Sequence, residues 1–130
     1  MRTTIRVMMM VMLLAASAAR AGMVRHFVAF RFKPEVSAPD RAEVRRRFLE
    51  LRRAVHAPGD APYLVSIESG DADSPEGLDQ HMTQAYLVTF RTPADRDYYV
   101  NQDPAHQAFK AFVGPLLDGV YVFDYRTEER

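Results

Sequence analysis

The chain contains no cysteine, which excludes disulfides, thiolate zinc sites and cysteine nucleophiles together. It leaves the compartment open, because an exported protein can do without disulfides. There is also no surplus of either charge. Seventeen basic residues balance 17 acidic ones, so no nucleic-acid partner is expected, since that would need a basic surplus on one face. No glycine-rich phosphate loop and no serine nucleophile elbow occur. The four histidines, His26, His56, His81 and His106, do not have metal-ligand spacing of the H-E-x-x-H kind. Asp71, Asp73 and Glu76 lie close together but lack the spacing and closing glutamate of a calcium loop, so a solvated turn is expected there. The expectation is therefore no metal and no cofactor. The longest apolar run, residues 7–16, is too short to cross about 30 Å of hydrocarbon as a helix.

What is present is enough apolar material for a folded domain. Hydrophobic residues make up 48% of the 130, which offsets chain entropy and argues against disorder; that length suits one domain. The first 21 residues read separately. Arg2 and Arg6 form a basic start, a methionine-rich apolar run follows, and Ala19-Arg20-Ala21 supplies small residues in an A-x-A arrangement. This is the layout of a secretory signal peptide over residues 1–21, with the folded domain at 22–130. The expected location is secreted or periplasmic, with no membrane attachment after cleavage. If Met23 is instead the true start, the protein is cytoplasmic. The mature chain is near the low end of size for independent stability, so oligomerisation would help.

Residues 24–33 alternate as a strand. Val24, His26, Val28, Phe30 and Phe32 share one face, and Pro34 stops the ladder. Residues 37–56 read as a helix, with Ser37 as N-cap, Pro39 in the first turn, and Val44, Phe48, Leu51 and Val55 as a buried stripe. Arg45, Arg46, Arg47, Arg52 and Arg53 lie off that stripe. Glu43 and Glu50 interleave them, so a solvated face is the better reading. Strands follow at 63–70 and 82–90, the latter with Tyr86, Val88 and Phe90 on one side. Thr92-Pro93 and Asp103-Pro104 open two short helices, the second ending before Gly114-Pro115. Residues 120–125 form a last strand, and the charged tail after it is expected to fray. The order βαββααβ gives an α+β, ferredoxin-like sandwich with a four-stranded antiparallel sheet and helices on one face. Aromatic residues also populate the other sheet face, which therefore wants a partner. Two such sheets packed face to face make a dimeric α/β barrel.

Four segments resemble, in order, parts of the Dabb family, the stress-responsive dimeric A/B-barrel domains. They are the strand from Met23 to Lys33, the loop Ser74-Pro75-Glu76-Gly77-Leu78, the run Asp103-Pro104-Ala105-His106-Gln107-Ala108-Phe109, and the closing Phe123-Asp124-Tyr125. The resemblance implies a ferredoxin-like protomer and a homodimer, with no cofactor. Its enzymatic members include plant polyketide cyclases that work with a histidine and a tyrosine between sheet and helices. Carried over, that pocket would involve His26, Val28, Phe30, Tyr86, His106, Phe109 and either Tyr98 or Tyr99. Gln84 stands where the family often has histidine, and the segment before Pro104 is one residue longer than in the cyclases.

His106 is the first candidate for chemistry. It sits in the first turn of its helix, where the positive end of the helix dipole disfavours imidazolium and a neutral ring can accept a proton. His26, in an apolar row, reads as a core histidine or as a polar contact for a ligand. His56 and His81 fall in loops and are expected to be exposed. Three functions remain open: a homodimer that holds a small apolar or aromatic molecule in each cleft; a cofactor-free lyase or cyclase with His106 as general base and Tyr98 or Tyr99 stabilising an enolate; and a structural protein that uses only its dimer interface. A cleft open to His106 keeps the first two, and a cleft filled by Phe30, Phe109 and Tyr86 leaves the third.

Overall fold

A computed structural model describes residues 22–128; the expected signal peptide lies outside the described residues. The order is β1 (Val24–Phe32), α1 (Ala38–Glu50), β2 (Leu64–Asp71), β3 (Gln84–Phe90), α2 (Pro93–Asn101), α3 (Pro104–Val113) and β4 (Leu117–Arg126). The four strands form one sheet in the order β2-β3-β1-β4, with every neighbour antiparallel. This is the α+β, ferredoxin-like arrangement expected from the sequence.

Register follows from alternation. Val24 pairs with Phe90, Val28 with Tyr86 and with Val122, and His26 with Val88 and with Asp124. Directly paired residues share a face. The row Val24, His26, Val28, Phe30 and Phe32 thus faces the helices and is buried throughout. Phe48 of α1 stacks on Tyr86 at 3.7 Å and meets Phe109 of α3 edge-on at 5.0 Å, which locks both helices to the middle of the sheet.

Each helix starts where a capping side chain supplies an acceptor. Ser37, Thr92 and Asp103 accept from the backbone N–H groups of Asp40, Asp95 and Ala105. α1 is shorter than the expected 37–56: it ends at Glu50 and tightens into a single 3₁₀ turn over Leu51–Arg53. Ala54 then takes extended backbone, so Val55 and His56 fall outside the helix. Three of the five arginines are paired. Arg46 and Arg47 both donate to Glu43, whose carboxyl those hydrogen bonds hold down at about 2, and Arg45 reaches Asp71. β4 extends beyond the expected 120–125. Its end is tied down by a 2.8 Å bond from the Thr127 N–H to the Met23 carbonyl, so the tail is ordered to that point. Among the described residues, no helix is long and apolar enough to cross a membrane.

The other sheet face carries no helix. There Tyr121 and Phe123 are each more than half exposed, and Tyr125 is 44% exposed. They pair with Ala29, Phe27 and Arg25 of β1.

Candidate functional site

The start of α3 is fixed from two sides. Asp103, itself buried, accepts the Ala105 N–H at 2.9 Å and the Tyr63 hydroxyl at 2.5 Å. Pro104 begins the helix, so His106 lies in its first turn, buried against the sheet. The His106 Nδ1 lies 2.7 Å from the Tyr99 carbonyl oxygen. A carbonyl can only accept, so Nδ1 carries the proton and Nε2 holds the lone pair. Burial, more than any other influence, lowers the pKa of this ring from 6.5 to about 4; the bond to Tyr99 opposes the shift. His106 is therefore neutral at pH 7, but burial is the main cause rather than the helix dipole.

His26 comes from β1, where register sets it opposite Asp124 of β4. Its Nδ1 lies 2.6 Å from the Asp124 Oδ1, and Arg96 of α2 donates to the other carboxylate oxygen at 2.8 Å. A carboxylate can only accept, so Nδ1 is the donor in this pair and Nε2 is the nitrogen left free of it.

Both histidines open into a cleft of about 340 Å³ between α3 and the inner face of β1 and β4. Five of the eight residues expected at the site line it: His26, Val28, Phe30, His106 and Phe109. The cleft exists because Val120 and Val122, on the helix-facing side of β4, are left about half exposed. The three tyrosines are not brought to its wall. Tyr86 lies deeper, stacked on Phe48, and its hydroxyl donates to Gln84 at 2.6 Å. Tyr98 turns away to pack at 4.3 Å from the His56 ring. Tyr99 is wedged between the histidines, parallel to His106 at 3.8 Å and edge-on to His26 at 5.8 Å. Its hydroxyl is buried without a hydrogen-bond partner, and burial raises its pKa.

His56 and His81 are exposed, as expected, although His56 pairs with Asp95 at 3.1 Å. Sequence reasoning did not assign a role to Asp124, Arg96 or Lys110. Asp124 had a signal: it continues the Val120, Val122 alternation and so falls on the same face as His26. Arg96 and Lys110 had none, since only the packing of α2 and α3 brings them to the site. Among the described residues, no group of three or more His, Cys, Asp or Glu side chains is placed to hold a metal ion.

A larger hollow, about 590 Å³, lies on the open sheet face under the β2–β3 loop, walled by Phe27, Ala29, Leu78, Met82 and Tyr121 among others. No histidine lines it.

Comparison with known proteins places this geometry. No curated protein matches the chain. A protein of Arabidopsis thaliana has 25% identity, covers 82% of this chain and 97% of its own, and superposes with a TM-score of 0.72. A hydroxynitrile lyase from Passiflora edulis has 23% identity over 85% of this chain and 97% of its own, with a TM-score of 0.71. A dimeric ferredoxin-like protein of unknown function from Thermobifida fusca has 18% identity over 83% and 93%, with a TM-score of 0.66. The sequence profile of the Stress responsive A/B Barrel Domain matches residues 24–127, nearly the whole described chain, so the protein belongs to the Dabb family.

Proposed function

We propose that the protein is a homodimeric domain that binds a small, largely apolar molecule in the cleft between α3 and the sheet. The observation that carries this is the cleft itself: about 340 Å³ of space, mostly apolar walls, and two buried histidines whose Nδ1 atoms are held by Asp124 and by the Tyr99 carbonyl. A few placed polar groups in an apolar cavity of this size are the usual makings of a small-molecule site. The His106 Nε2 lone pair would accept from a hydroxyl or N–H on the ligand, and the His26 Nε2 edge would give a second polar contact. The larger hollow is the weaker candidate, because its walls belong to the aromatic sheet face that a second copy would cover. The Thermobifida fusca relative is described as dimeric, which supports the same assembly here. Export rests only on the leader-like layout of residues 1–21, and N-terminal sequencing of the mature protein decides it.

A second reading, a cofactor-free enzyme that moves a proton, is favoured by the Asp124–His26 pair, an arrangement that orients an imidazole for proton transfer. It moves the base from His106 to His26. With a pKa of about 4, His106 is a far weaker base than an ordinary histidine, about two to three orders of magnitude below. The tyrosine partner is also missing from the cleft wall.

The test of the binding reading is a titration with neutral aromatic compounds, followed by melting temperature and by the ring NMR signals of His26 and His106. A ligand should raise the melting temperature and move both signals. Val122→Trp, at the half-exposed rim, should abolish both responses. Responses that survive in Val122→Trp place the ligand elsewhere and end this reading.

A further inference from the structure

The charges around the cleft are lopsided. Among the described residues that line it there is no carboxylate, and Lys110 is the one ammonium or guanidinium. Asp124 stands behind His26, and its two oxygens are taken by His26 and Arg96. His106 adds no positive charge near pH 7. Lys110 lies one turn beyond His106 on α3. Its Nζ donates to the Val100 carbonyl at 3.1 Å, an oxygen that Gln107 also binds at 3.1 Å. That bond anchors the ammonium at the rim beside the end of α2. A lysine has three donors, so two remain for a ligand, and no ion pair among the described residues engages them. Lys110 is exposed yet lines the cleft, as suits a lysine at an apolar edge, where the stem packs and the head keeps to water.

We propose that the cleft takes a small amphipathic anion, its apolar body held between Phe30, Phe109, Val113 and Val122 and its one carboxylate-type group paired with Lys110. This rests on the reading of the cleft as a ligand site. The low-polarity walls below the rim strengthen the attraction between the two charges relative to open water. A cation of the same shape would meet like charge at Lys110 and find no carboxylate among the described residues that line the cleft.

The experiment titrates the full dimer with hydrocinnamate, with its uncharged amide, and with the amine of the same carbon skeleton, at low and high salt. The ring signals of His26 and His106 report occupancy. At low salt hydrocinnamate should bind about tenfold tighter than the amide, as a charge-assisted hydrogen bond at a partly wet rim allows. The amine should bind weakest, and salt should narrow the gap. Lys110→Met should bring the carboxylate-to-amide ratio to about one, and Lys110→Arg should restore most of it. Equal affinity for carboxylate and amide, with both histidine signals moving, overturns the anion proposal and leaves the binding reading standing. A Lys110→Met variant that keeps the full preference also overturns it. If no probe moves either histidine signal, both fall.

Discussion

At the scale of single residues, burial outweighs local sequence. The capping pair Asp103-Pro104 was enough to place His106 in a first helical turn, but its pKa is set by burial against the sheet, with the bond to Tyr99 seven residues earlier opposing the shift. That has a consequence for stability. The ring titrates near 6.5 when unfolded and near 4 when folded. Between those values the unfolded chain holds a proton that the folded chain lacks, so stability is fully present above about pH 6.5 and is lost as pH falls toward 4. The loss attributable to His106 is about 2 to 3 kcal/mol. Urea denaturation at pH 7 and at pH 4.5, on wild type and on His106→Asn, measures it: the wild type should lose more stability between the two pH values. Equal losses would show that His106 titrates normally in the folded state. The tyrosines were harder to read. Tyr98 and Tyr99 differ by one residue, about 100° around α2, and only the packed partners decide which points where. Tyr98 finds His56 and Tyr63, and Tyr99 finds the two site histidines.

At the scale of elements, what alternation and capping encode was legible, and what depends on a distant contact was not. Among the described residues each expected strand and helix has a counterpart, although α1 ends early and β4 is longer at both ends. The early end of α1 was missed because the apolar spacing continues through Val55, while the backbone turns extended at Ala54 ahead of Pro58 and Gly59. The buried role of Asp103 was only half legible. Its cap bond follows from sequence, whereas the Tyr63 hydroxyl arrives from the residue just before β2, forty residues away. Removing the carboxylate therefore loses a cap and also strands a buried hydroxyl. Asp103→Ala should cost about 2 to 4 kcal/mol, the sum of a lost cap and an unsatisfied buried group. Tyr63→Phe alone should cost about 1 kcal/mol, and in that background Asp103→Ala should cost less than in wild type. Chemical denaturation of the four proteins at one fixed concentration gives the coupling. No coupling would mean that the two side chains do not share a bond in solution.

At the scale of the whole molecule, the unanswered surface is the helix-free sheet face. β4 is an edge strand, and Tyr121, Phe123 and Tyr125 on it are 44–54% exposed. A small domain rarely leaves a contiguous aromatic patch and a free strand edge open to water together, since each invites association. A second copy related by two-fold symmetry offers the same patch in return, so one contact covers both faces and no other partner chemistry is needed. The helix-covered cleft lies on the opposite side of the sheet, so each protomer would keep its site when two sheets close. Phe123, paired with Phe27 near the middle of the β1–β4 ladder, is the position where a charge does most harm. Phe123→Asp would place a carboxylate at the centre of that contact and should weaken dimerisation at least about a hundredfold. Sedimentation equilibrium of both proteins, with the melting temperature followed against protein concentration, is the measurement. The wild type should sediment as a dimer and melt higher as concentration rises, and the variant should do neither. A wild type that remains a monomer at high micromolar concentration, with the same melting temperature at every dilution, would mean that this face is stable in water, and the barrel would have to be given up while the cleft could stay.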